Sequence, residues 1–101
     1  MDRFTVIYHW KVKAGCEEDF RDAWHRATEA IYRKYNSRGS RLHKSDDERW
    51  IAYAQWHNRE VWLAMQNSPE ACDKEAFAIM RENIEGATEV TCMIVIDDLF
   101  K

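Results

Sequence analysis

At 101 residues the chain is long enough for one hydrophobic core and too short for two, and 46% apolar with 33% charged residues excludes disorder and low complexity. A formal charge of −3 with no long basic run speaks against nucleic acid as a partner. The longest apolar run, Cys92 to Ile96, is far below the roughly 20 residues that cross a bilayer, and Met1-Asp2-Arg3-Phe4 has no signal-peptide form, so one cytoplasmic domain over residues 1–101 with no membrane partner is expected.

Phe4 to Val12 is rich in β-branched and aromatic residues, its even positions are all apolar, and it reads as a strand. Ile7 and part of His9 make the second face apolar too, as if both sheet faces were covered. Ala14-Gly15 breaks the strand. Glu17, Glu18 and Asp19 then put negative charge where a helix dipole favours it. The helix keeps Phe20, Trp24, Ala27, Ile31 and Tyr35 at i+3/i+4 spacing, with Asp22/Arg26 and Glu29/Arg33 as pairs on the other side. Asn36 to Ser40 ends it, with Gly39 as the breaker.

Arg41 to Lys44 and Trp50 to Trp56 form a hairpin across the polar turn Ser45-Asp46-Asp47-Glu48. Asn58 is the predicted N-cap of a short helix through Val61, Trp62 and Met65. Ser68-Pro69 interrupts it and restarts a second piece, with Ser68 as cap and Pro69 in the first position. That piece faces inward through Cys72, Ala76, Ile79, Met80 and Ile84 and is closed by Gly86. Glu89 to Ile96 is apolar on both sides and reads as a central, doubly covered strand.

The order predicts an α+β, ferredoxin-like βαββαβ fold: a four-stranded antiparallel sheet with two helices on one face. The other face would expose Ile7, Tyr53, Met93 and Val95, or their neighbours of opposite parity. A homodimer through the sheet faces, a dimeric α/β barrel, is the expected remedy.

Two segments, Thr5-Val-Ile-Tyr-His-Trp-Lys-Val-Lys-Ala-Gly-Cys-Glu-Glu-Asp-Phe20 and Tyr53-Ala-Gln-Trp-His-Asn-Arg-Glu-Val-Trp62, resemble the antibiotic biosynthesis monooxygenase family of the dimeric α/β-barrel group. The matching features are Gly15 before an acidic helix start anchored by Phe20, and Trp56, Asn58 and Glu60 at the corner after the third strand. The resemblance implies cofactor-independent oxidation of a small aromatic or quinol-like substrate in a pocket between sheet and helices, with no cofactor and no metal. The haem-degrading branch places Asn, Trp and His where this chain has Tyr8, Met65 and Glu75, so haem degradation is not expected. Other relatives are isomerases or proteins without known catalysis. A non-catalytic dimeric ligand-binding or accessory protein, or a cofactor-free isomerase or cyclase, therefore stays open beside the monooxygenase.

Tyr8, Trp10, Trp24, Tyr53 and Trp56 are the residues expected to line such a pocket. His9 and His43, on strands, are the candidate bases, since an imidazole near neutral pKa facing a cavity can take a phenolic proton. His25 and His57 read as surface groups, and the four histidines have no metal-type spacing. Cys16, Cys72 and Cys92 form neither a disulfide framework nor a C-x-x-C motif. Cys72 and Cys92 are expected as buried small hydrophobes, while Cys16 sits near a helix start. The acids at Asp46 to Glu48 and Asp97-Asp98 are assigned no site.

Overall fold

A computed structural model describes residues 4–68 and 72–100. The elements run β1 (Phe4–Val12), α1 (Glu17–Tyr35), β2 (Ser40–Lys44), β3 (Trp50–Trp56), α2 (Arg59–Asn67), α3 (Lys74–Glu82) and β4 (Ile84–Ile94). The strands form one antiparallel sheet in the order β2-β3-β1-β4, the ferredoxin-like arrangement.

Along β1 and β3 the alternation seen in the sequence becomes two different faces. Phe4, Val6, Tyr8 and Trp10 stand beside Trp50, Ala52, Ala54 and Trp56 and pack under the helices. Ile7 lies opposite Tyr53 and His9 opposite Ile51 on the other face, which no helix covers. Two apolar clusters fill the helix side. One joins Trp10 and Trp50 to Phe20, Ala23 and Ala27 of α1 and to Ala76 and Met80 of α3. The other joins Phe4, Val6, Ala54 and Trp56 to Trp62 and Met65 of α2. Phe20 is fully buried, with its ring edge-on to both Trp10 (5.2 Å) and Trp50 (5.9 Å).

Capping follows local chemistry. The Asn58 side chain accepts a hydrogen bond from the Val61 N–H at 2.9 Å and starts α2, as its position predicts. Asp73, and not Ser68, caps α3, accepting from the Ala76 N–H at 3.0 Å. Ser68 follows the end of α2, Cys72 lies in the turn before α3, and the expected role of Pro69 lies outside the described residues. Asn36, in the left-handed conformation (φ 52°), ends α1 with its N–H bonded to the Tyr32 carbonyl, so an Asn does there what Gly39 was expected to do.

The end of α3 corrects the sequence reading. Asn83 closes the helix, its amide nitrogen donating to the Ile79 carbonyl at 2.8 Å. Ile84 then begins β4 five residues earlier than expected. Gly86 is therefore inside a strand. Its positive φ of 73° falls where the β1–β4 pairing slips between His9 and Lys11, a bulge that a residue with a Cβ would strain. Nor is β4 a central strand: it is an edge, exposed along almost its whole length, and Cys92 is exposed with it. Its two apolar parities meet different surroundings, one beside the helix side and one beside the uncovered face.

On the outside of α1, Glu29 pairs with Arg33 at 3.6 Å and accepts from His25 at 2.7 Å. Arg26 turns away from Asp22 and reaches Asp73 (3.1 Å) and Glu75 (3.0 Å), tying α1 to the start of α3.

Candidate active site

The two core clusters leave a cavity of about 340 Å³ between them. Its floor is the helix face of the sheet, with Tyr8, Trp10, Ala54 and Trp56. Its walls come from α1 (Trp24, Thr28, Ile31) and α3 (Phe77, Met80, Arg81). Met65 and Gln66 of α2, Ser37 and Ser40 after α1, and Thr88 and Val90 of β4 also line it. The size lies at the lower end of the range for small-molecule sites, about 300–1,000 Å³. Apolar surface dominates, and among the described residues no aspartate, glutamate or histidine is on the wall.

Tyr8 carries the polar chemistry of the floor. Its ring stacks on Trp10, with centroids 5.6 Å apart and planes 8° from parallel. Its hydroxyl oxygen accepts a hydrogen bond from the Trp62 indole N–H at 2.9 Å. An indole nitrogen can only donate, so the Tyr8 proton stays free for another acceptor. Burial pushes the Tyr8 phenol up to about 12 against the pull of the Trp62 bond, and the nearby Cys92 adds to the rise. At physiological pH Tyr8 is thus a neutral hydrogen-bond donor. A second donor, Trp56 Nε1, is buried on the same floor without a hydrogen-bond partner among the described residues.

The expected site residues fall on both sides of the sheet. Tyr8, Trp10, Trp24 and Trp56 meet around the cavity. Tyr53 does not: its odd-numbered position turns it to the uncovered face, where its hydroxyl accepts from Gln55 Nε2 at 3.1 Å. His9 and His43 are on that same far side, separated from the cavity by the sheet. His43 Nδ1 lies 3.4 Å from the Ile51 carbonyl, and His9 Nδ1 is buried without a partner among the described residues. The physical reason is parity, since residues opposite Ile51 on β1 and β2 share its face and not that of Trp50 and Ala52.

Of the positions compared with the haem-degrading branch, Tyr8 and Met65 line the cavity, whereas Glu75 is on the surface in its ion pair with Arg26. Among the described residues no cluster of three metal-ligating side chains exists, and no helix is long and apolar enough to cross a membrane. Asp47 and Glu48 of the hairpin turn are held by Arg49 and Lys44, which suits a solvated turn.

Three site features were not read from the sequence. Trp62 was placed on the apolar side of α2, but its indole reaches 54 positions back to Tyr8, a distance no local pattern encodes. Phe77 and Arg81, one turn apart on α3, share the cavity wall with Met80, and their i+4 spacing was the available signal. Thr28 follows Trp24 by the same spacing on α1.

Residues 3–73 match the sequence profile of a family described as antibiotic biosynthesis monooxygenase. No curated protein matches the chain. Among solved structures, a protein from Bordetella bronchiseptica named for the same family superposes with a TM-score of 0.81 at 18% identity, over 95% of this chain and 99% of that one. SnoaB, a cofactor-independent oxygenase from Streptomyces nogalater, gives 0.78 at 14% identity over the full length of both. A conserved protein from Methanosarcina mazei gives 0.74 at 15%, over 92% of each. At these identities the likeness establishes the fold.

Proposed function

The chain belongs to the antibiotic biosynthesis monooxygenase family, and from that premise we propose that it oxidises a small electron-rich aromatic or quinol-like molecule with molecular oxygen in the cavity between sheet and helices, without a bound cofactor. The observation that carries this reading is the Tyr8 hydroxyl, held by Trp62 and free to donate within an aromatic cavity. An electron-rich substrate phenol needs little from the protein. Once ionised, it passes electrons to oxygen itself. At an anthrone-like methylene, two C–H bonds break and a C=O forms with one oxygen atom, while the other leaves as water with both hydrogens. The substrate is the only reductant.

The protein's part is to orient the ring, exclude water and stabilise the developing oxyanion. Tyr8 is suited to the last task, because its raised pKa keeps its proton in place as a donor. With no carboxylate or imidazole on the wall, ionisation rests on the acidity of the substrate, raised by that donor and by the Arg81 charge. This gives up His9 and His43 as bases.

The test is oxygen uptake by metal-free, flavin-free protein with anthrone-like phenols and hydroquinones. Protein-dependent uptake is expected, and Tyr8→Phe should lower kcat/KM about a hundredfold, as loss of one oxyanion donor does. The lack of a base on the wall favours a second reading, a non-catalytic binding protein. Absence of uptake together with quenching of tryptophan fluorescence by the same compounds would decide for it. Conversion of substrate without oxygen consumption would point instead to an isomerase or cyclase.

The uncovered sheet face supports the proposal that two copies pair through it. Ile7, Ile51 and Tyr53 are only half-buried there, Met93 and Val95 are exposed, and Leu99 and Phe100 are 83% and 95% exposed. So much apolar surface side by side is uncomfortable for a monomer. Light scattering at low micromolar concentration should give twice the chain mass; a monomer would overturn the pairing.

A further inference from the structure

All the groups on the cavity wall are neutral except one. Aromatic and aliphatic side chains with a few uncharged hydroxyl and amide groups make up the surface, and among the described residues Arg81 supplies the only charge. Among the described residues Arg81 has no ion-pair partner, whereas Arg26, Arg33 and Arg49 are each paired with carboxylates. A cation in the last turn of α3 complements the helix dipole. That accounts for a basic residue in the turn. It does not account for one on the wall of an aromatic cavity that holds no acid to answer it.

Arg81 is exposed, so it stands at the rim with water on one side and the cavity on the other. In such a place a guanidinium attracts an anion more strongly than it would in bulk water, and its planar fork suits the two oxygens of a carboxylate. Deeper in, the Tyr8 hydroxyl presents a donor, which suits an acceptor oxygen on the same ligand.

We propose that the cavity selects a planar fused-ring aromatic bearing an anionic oxygen group, with the anion at Arg81 on the rim and a ring oxygen accepting from Tyr8. This deepens the oxygenase reading, on which the nature of the ring rests, by assigning the substrate its charge. Arg81 is the specificity-determining residue, and neutral analogues of the same shape bind less well.

The experiment is calorimetric titration of the intact protein, without oxygen, with 2-naphthoate and with its methyl ester at about pH 7.5, where the acid is ionised. The acid should bind roughly tenfold more tightly than the ester, and added salt should narrow the gap. Arg81→Gln should remove the preference, and Arg81→Lys should keep part of it. Circular dichroism confirms that the variants are folded. Equal affinities, no detectable binding of the acid, or a preference that survives in Arg81→Gln would each overturn the proposal. 2-Naphthoate and its ester carry neither a phenol nor an activated methylene, so the titration reads binding alone and the two readings fail separately. A protein inert in oxygen uptake that still prefers the acid loses only the oxygenase reading. One that oxidises phenols bearing the acid and the ester with equal kcat/KM loses only the selectivity.

Discussion

The two faces of the sheet are made from the same strands, yet one is finished by the chain and the other is left open. On the helix side Val6 and Phe20 are fully buried, and large rings meet from strands and helices. On the far side Ile7, His9, Ile51 and Tyr53 alternate apolar and polar groups beneath no helix, and two buried polar atoms there, Thr5 Oγ1 and His9 Nδ1, have no partner among the described residues. The helix side holds the cavity because rings as large as Trp10, Trp24 and Trp56 do not close the space between two clusters. The open side offers surface rather than volume. The cavity and the exposed apolar surface therefore divide between faces only one residue apart in sequence.

The sharpest way to break this division is to damage one face and watch the other. Phe20→Ala should cost about 3–5 kcal/mol, a large part of a small domain's stability, and a urea midpoint will measure it. Ile51→Asp on the open face should leave the cavity formed but raise the dimer dissociation constant about a hundredfold, seen by sedimentation. If Ile51→Asp instead unfolds the chain, the open face belongs to the core after all.

A smaller effect concerns pH. Because the Tyr8 pKa is raised from 10.0 to about 12, the folded protein holds a proton that the unfolded chain gives up. The stability this contributes is present below about pH 10 and is lost as pH rises towards 12. Tyr8→Phe should flatten that decline between about pH 10 and pH 12. The same shift predicts that the alkaline limb of an oxygen-uptake profile below about pH 10 follows the substrate phenol's pKa and not Tyr8, which a series of substituted phenols would test. Least affected is the helix that carries Trp62. Asn58→Ala removes the cap of α2 and should cost about 1 kcal/mol, or about 4–8 °C in Tm.

Much of the fold was legible because its signals are local. The period of Phe4 to Val12, the acidic start of α1 and the Asn58 cap each act within a few residues. The boundary at Gly86 was misread because a glycine with positive φ serves a helix end and a strand bulge equally well, and only the pairing of β1 with β4 distinguishes them. The site was legible in kind more than in membership. An abundance of rings implied an aromatic pocket, and Tyr8, Trp10, Trp24 and Trp56 meet in one. Tyr53, His9 and His43 stand on the opposite parity, which only the pairing of β1, β2 and β3 reveals.

By itself, the sequence determined the order of strands and helices, the Asn58 cap of α2 and the family, since hydrophobic period and capping chemistry work at the scale of one or two turns. The tertiary structure decided which parity of β1 faces the helices, that β4 is an edge, and that Trp62 donates to Tyr8 across 54 residues. Thr5, Ile7 and His9 leave the odd parity of β1 partly apolar beside the even one, and a one-residue choice between them inverts every side chain. Only the packing of α1, α2 and α3 on one side makes that choice.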